Sequence, residues 1–451
     1  MKKLIMTIVL GMAAASYAAS PALTGVSVQQ NSSRLVTITY NVDQECIVTV
    51  DVLTNGVSIG EANFTNMTGA VNKQVSAGQN VICWQPRDSW ADQRVAAGGI
   101  SVNVKAWPLC APPPYMVVDL YQEGDGYLND GVYVHYFAST NAFPGGFENR
   151  AYKTTTIVMR HIPAAGVRWR MGMSAADQLN CGDYASGKLG TSAALYQDIT
   201  YAESEKAHYV TLTNDYWIAV YPLTQAQAKR FSEDGKTYIN SGFSDWAGRD
   251  RDLYPMEYMS YQAIRGKVED GVNWPTTGSK VAGLLQHFRT RTGGLKFDFP
   301  TDAQWEFACR AGESGQLYDG SALYVGGQRV SSFRSIVANI GWIYYTYDDD
   351  GSLLEATRTF PVGLKKPNNW GLYDMVGNVS EFCLDWYDVP AGIDTVDPHG
   401  PDNAKYGTHR VYRGASYSTT SFFAVRSSCR FGISATYGAS DYGCRLSITI
   451  P

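Results

Sequence analysis

Between residues 22 and 107, apolar and polar positions alternate in short runs, the pattern of half-buried strands rather than helices. Leu35-Val36-Thr37-Ile38-Thr39-Tyr40 and Ile47-Val48-Thr49-Val50-Asp51-Val52 are rich in β-branched residues, which suit a pleated surface. Asn55-Gly56 supplies a hairpin turn between Val52 and Val57-Ser58-Ile59, because both residues tolerate the positive φ that a two-residue turn requires. Val81-Ile82-Cys83-Trp84 and Ile100-Ser101-Val102-Asn103-Val104 continue the series. Short strands at this spacing predict a small β-sandwich of immunoglobulin or fibronectin type over 22–107, with Cys46 and Cys83 as candidate bridge partners.

The pattern breaks at Pro108-Leu109-Cys110-Ala111-Pro112-Pro113-Pro114, where consecutive prolines predict a stiff linker over 108–114. Strands and turns follow to about residue 165, and the second domain is expected over 115–451 with its core at 166–451. Helices there are short. Thr224-x-x-Gln227 and Thr301-x-x-Gln304 are capping boxes, and the second opens a helix from Asp302 to Arg310 that stops at Gly312. Val281 to Phe288 has one apolar face and is closed by Gly293-Gly294. The expected class is α+β, low in regular secondary structure.

Composition narrows the function. The 451 residues allow two or three domains, and neither the net charge of −5 nor any Lys/Arg run suggests a nucleic-acid partner. Lys2-Lys3, the apolar Leu4–Ala15 stretch and Ser16-Tyr17-Ala18 predict a signal peptide over 1–19. No later run is long enough to span a membrane, so the mature protein is expected to be secreted, periplasmic or on the cell surface. Some of the eight cysteines are then expected to form disulfides, and no Cys-x-x-Cys motif marks a zinc or thioredoxin-type site. The six histidines make no metal-binding pattern, and no Gly-x-Ser-x-Gly elbow or phosphate-binding glycine loop is present.

Several segments, in order, resemble the formylglycine-generating (sulfatase-modifying) enzyme family. They are Trp169-Arg170-Met171-Gly172, His208 to Leu212, Tyr216-Trp217-Ile218, Pro222-Leu223-Thr224, Pro255 to Tyr261, and Phe299-Pro300-Thr301-Asp302-Ala303-Gln304-Trp305-Glu306. Gly371-Leu372-Tyr373-Asp374-Met375-Val376-Gly377-Asn378, Arg410 to Tyr417 and Gly443-Cys444-Arg445 complete the set. The resemblance covers about 170–451 and implies a mixed α/β domain of C-type-lectin kind.

Catalytic members of that family use two cysteines that hold copper(I), a soft metal suited to thiolates. The corresponding positions here are Thr419 and Ala424, with Phe423 in place of an intervening Tyr, so no copper is expected. The resemblance further implies a Cys309–Cys429 disulfide. It implies a calcium site from the side chains of Asp374 and Glu381 and the carbonyls of Gly377 and Val379. A second site would use Asn339, Ile340 and Asp350. Ser380 stands where the family has a groove-lining Trp.

The segments 418–423 and 434–442 mix small polar and aromatic residues, a composition that suits adaptable contacts. They resemble the variable-loop ends of lectin-like proteins diversified by retroelements. Candidate ligand-binding residues are Ser416, Thr419, Thr420, Phe422, Phe423, Tyr437, Asp441 and Tyr442. The expected function is a secreted, calcium-stabilised, non-catalytic module that binds an extracellular or envelope ligand (protein, peptide or glycan). The alternatives are a protein-modifying oxidoreductase of the formylglycine-generating type acting on sulfatase cysteines through another cysteine, such as Cys429, or through a metal site not visible in the sequence, and an envelope-assembly factor that docks through its sandwich.

Overall fold

The computed structural model describes residues 19–60, 67–90, 99–120, 134–184, 199–230, 251–266, 283–347, 353–355 and 358–450. Residues 1–18 of the expected signal peptide and the candidate ligand Asp350 lie outside them. Contacts divide the chain into two units, one of residues up to Pro113 together with Asn141–Gly145, the other of Pro114–Thr140 and Gly146 onward.

The first unit contains two antiparallel sheets. One orders Leu23–Gln30, Val36–Val42, Gly78–Trp84 and Met67–Gly69, while in the other Cys46–Thr54 pairs with Val57–Ser58, Lys73–Val75 and Ile100–Trp107. Alternate residues of the two sheets, Val36, Ile38, Tyr40, Ile82 and Trp84 against Val48, Val50 and Val52, share one core. The Asn55-Gly56 turn forms with φ of 51° and 79°, both in the left-handed region. Cys83 sits between the core residues Ile82 and Trp84, so strand alternation turns its side chain outward while Cys46 is buried. The suggested Cys46–Cys83 bridge therefore does not form.

In the second unit a five-stranded antiparallel sheet runs in the order Val134–Phe137, Tyr115–Asp119, Thr156–Ile162, Tyr216–Ala219, Ser447–Thr449. A four-stranded sheet of Arg430–Ser434, His409–Arg413, Ser380–Trp386 and Tyr442–Gly443 contributes Phe382 and Tyr442 to the same core. A third sheet joins Val167–Met171, His208–Leu212 and Thr395–Val396. Both expected capping boxes form, at Gln225–Lys229 and Asp302–Arg310. The helix Gly283–Arg291 packs Leu284, Leu285 and Phe288 into the core. The domain is thus mixed, with many short strands and few helices.

The helix Asp302–Arg310 is buried along its whole length and organises the ion pairs around it. Asp302 receives Arg413 at 2.5 Å and Arg430 at 2.7 Å, while Glu306 receives Arg413 at 2.9 Å and Arg310 at 2.8 Å. Glu306 also accepts from the Gly172 amide at 2.8 Å, tying the strand Val167–Met171 to the helix. Charges buried this completely are tolerated only because each is paired.

Candidate functional site

The two candidate ligand-binding loops are joined by side-chain hydrogen bonds. Ser418 donates to Asp441 Oδ2 at 2.7 Å and lies 3.0 Å from the Ser416 hydroxyl, and the Tyr417 and Ser440 hydroxyls are 2.7 Å apart. Thr419 is turned inward: its hydroxyl accepts from the Ser416 amide at 3.0 Å and its carbonyl from the Tyr344 amide at 3.2 Å. Ala424 lies buried in the short 3-10 helix Phe422–Val425. Burial pushes the Tyr417 hydroxyl up from its ordinary pKa, and the charges of Asp441 and Glu257 push it further.

Not all the expected contact residues reach the surface. Phe422 is buried edge-on against Phe333 at 4.4 Å, and Phe423 against Tyr201 at 4.5 Å and beneath the Arg426 guanidinium at 3.6 Å. Tyr442 is packed among Tyr412, Tyr437 and Phe382. These three rings are core, because each finds aromatic partners on neighbouring segments. The accessible part of the face is Ser418, Thr420, Tyr437 and, partly, Thr419 and Asp441, with Tyr437 47% exposed.

The Cys309–Cys429 bridge is absent, and all eight cysteines are thiols. Burial pushes Cys309 up to about 12 and holds Cys429 well above the ordinary thiol range, so neither is a ready thiolate.

Both carboxylates of the first expected calcium site have partners within the chain. Arg445 donates to Glu381 through Nη2 at 2.8 Å and Nε at 3.0 Å, and Trp305 Nε1 donates to it at 2.6 Å. Asp374 accepts from the Gly363 amide at 2.7 Å, and burial pushes its carboxyl up to about 6. Calcium needs six to eight oxygens, and at Glu381 it would compete with a guanidinium that is wholly buried. The residues present therefore do not fit a calcium ion at Asp374 and Glu381. At the second expected site the Asn339 carbonyl accepts from Lys366 and the Ile340 carbonyl from Tyr318. Among the described residues no group of three or more His, Cys, Asp or Glu is arranged to hold a metal.

A separate cleft of about 450 Å³ opens under the loop from Asp388 to Lys405. Its lining includes the buried Asp302, Asp385 and Arg430 together with Met171, His208, Trp386, Pro390 and Ile393. Asp385 accepts from the Asp302 amide at 2.8 Å. Burial, and then the neighbouring Asp302 charge, pushes Asp385 up to about 7, whereas Arg413 and Arg430 hold Asp302 low against its own burial. None of these cleft residues was singled out as a site by sequence, because the cleft gathers segments more than a hundred positions apart.

A loop-rich mixed domain with buried arginine–carboxylate pairs and two hydroxyl-rich surface loops defines a scaffold class in which loops carry the function. The chain belongs to the sulfatase-modifying factor family: the profile described as "Sulfatase-modifying factor enzyme 1-like domain" matches residues 179–450. A formylglycine-generating enzyme of Streptomyces coelicolor is 39% identical over 121 residues, 26% of this chain and 35% of that protein. The Mus musculus formylglycine-generating enzyme is 34% identical over 135 residues, 29% and 32% of the two chains. The chain thus spans about a third of the length of these enzymes. A protein named chaperone protein LppX, from Paenibacillus barcinonensis, is 27% identical over 45% of this chain and 70% of its own. Among solved structures, Treponema denticola variable protein 1 aligns over 66% of this chain and 96% of its own, at 21% identity and a TM-score of 0.44.

Proposed function

We propose that this chain is an exported, non-catalytic member of the sulfatase-modifying factor family whose face around 416–442 binds a protein ligand. The carrying observation is the state of the positions that correspond to the family's copper cysteines. Thr419 has its hydroxyl bound to the Ser416 amide, and Ala424 is a buried methyl. The nearest thiol in sequence, Cys429, is buried and held protonated, so it does not supply a substitute nucleophile. Exposed Tyr437, Thr420 and Ser418 offer a rigid aromatic anchor with adaptable hydrogen-bonding neighbours, a mixture suited to protein contacts. The relative named a chaperone is in keeping with a protein-facing role. In this reading the N-terminal sandwich, of immunoglobulin or fibronectin type, is a docking module, and the second unit is a scaffold of C-type-lectin kind.

Two measurements test the proposal. Copper-loaded full chain incubated with a cysteine-containing sulfatase peptide is expected to leave the cysteine unconverted, and formation of formylglycine would overturn the reading. Selection of a phage-displayed peptide library on the full chain is expected to enrich sequences that no longer bind Tyr437→Ala/Thr420→Arg. Enriched peptides that ignore both substitutions would place the binding face elsewhere.

A further inference from the structure

The cleft lined by the 388–405 loop contains none of the candidate contact residues of the 416–442 face, although Arg430 falls within that span, and its chemistry is distinct. Asp385 is only 3% exposed yet lines the cavity. One of its oxygens is held by the Asp302 amide at 2.8 Å, and the other has no hydrogen bond from the described residues. A buried carboxyl with one oxygen fixed and the other open to a cavity is a polar group awaiting a partner.

His208 also lines the cleft. Its Nδ1 lies 2.9 Å from the Lys206 carbonyl, an acceptor, so Nδ1 carries the proton and Nε2 of the neutral ring is an acceptor. The cationic groups are already engaged: Lys405 pairs with Asp388, and Arg430 with Asp302 at 2.7 Å. Around these polar points the walls are apolar or flat, from Pro390, Ile393, Val396, Pro398 and Trp386. Ile393 is 66% exposed at the rim with nothing packed over it.

We propose that this cleft is a second ligand site, independent of the 416–442 face, that takes a neutral hydroxylated ring such as a hexose. A ring of that kind presents hydroxyls that both donate and accept, matching the open Asp385 oxygen and His208 Nε2, and an apolar C–H face for the proline and isoleucine walls. A charged ligand is disfavoured, because the buried full charges already neutralise one another and a further buried charge would go unpaired. The volume of about 450 Å³ falls in the range of small-molecule sites. The elevated Asp385 carboxyl is in keeping with a hydrogen-bond donor near neutral pH. The groups acting on it are Asp302, Arg430 and Arg410, while His208, Asp388, Asp397, His399 and Lys405 line the same cavity.

The test is saturation-transfer NMR on the full chain with glucose, galactose and N-acetylglucosamine, each at millimolar concentration. At least one sugar is expected to bind, and His208→Ala and Ile393→Glu are each expected to weaken it tenfold or more. Both substitutions lie on accessible walls, so the fold is retained and can be checked by circular dichroism. Asp385→Asn keeps an acceptor for the Asp302 amide and a donor in the cleft. From about pH 7 upward it is expected to bind with unchanged affinity, whereas the wild-type protein loses affinity over that range as Asp385, raised by burial to about 7, gives up the proton it donates. Binding of none of the three sugars, or binding indifferent to both wall substitutions, would overturn the proposal. Sugar binding with identical pH profiles in wild type and Asp385→Asn would remove Asp385 from it.

Discussion

Glu381→Gln isolates the contact that decides between an internal ion pair and a metal site. The Arg445 guanidinium uses all five of its N–H groups. Two from Nη1 go to the Ala219 and Val220 carbonyls at 2.8 and 2.9 Å, and one from Nη2 to the Tyr373 carbonyl at 2.7 Å. The remaining two reach Glu381. Neutralising Glu381 leaves a fully buried cation surrounded by carbonyl dipoles alone. The amide NH2 of the substitute would also face either the Trp305 N–H or the guanidinium, donor against donor. Removing one partner of a buried pair costs about 3–5 kcal/mol. At a urea slope of about 1–3 kcal/mol per molar, the midpoint of the affected transition should fall by more than about 1 M. The assay is equilibrium urea unfolding of both proteins, in chelator and in millimolar calcium. A loss below about 1 kcal/mol in chelator would refute the ion-pair reasoning. Calcium-dependent stabilisation of the wild type that is absent from the variant would refute it too, and would restore the metal site.

Further outcomes follow from the same geometry. Thr301→Ala removes the side-chain acceptor for the Gln304 amide, and should cost about 1 kcal/mol in thermal or urea unfolding. Asp385→Asn should alter stability in a pH-dependent way. The wild-type carboxyl is raised from 3.8 to about 7, so the folded state holds its proton more tightly and loses stability as pH rises between those values. The variant should therefore gain relative to wild type at pH 8 and lose that gain below pH 4; a gain independent of pH would contradict the assignment. Titration of the denatured, unreduced protein with a thiol reagent should find eight thiols, and a count of six would point to a bridge such as Cys309–Cys429.

Features encoded within four or five residues were legible in the sequence. The boxes at Thr224 and Thr301 depend on a hydroxyl and an amide three positions apart, and both form. Asn55-Gly56 likewise carries its turn in its own dihedral preferences. Thr200-x-x-Glu203 has the same signature and also forms a capping box, on a helix of only four residues. The helix Phe333–Ile340 starts without a side-chain cap bond, so nothing local announces it.

The site was less legible, because its decisive contacts are distant. Arg445 meets Glu381 from 64 positions away and Arg426 meets Glu205 from 221. The spacing of Asp374 and Glu381 suggests a calcium turn only until the arginine that occupies one of them is known. Phe422 and Phe423 read as contact residues by composition, but Phe333, Tyr201 and Tyr324 bury them from other segments.

The central claim, a family scaffold without thiol-based oxidation, is tested most directly by mass spectrometry of a sulfatase cysteine peptide after incubation with copper-loaded full chain and oxygen. The predicted spectrum shows the peptide cysteine unconverted to formylglycine, with Cys429→Ser indistinguishable from wild type. Formylglycine in the wild-type reaction, lost in a folded Cys429→Ser protein, would contradict the claim.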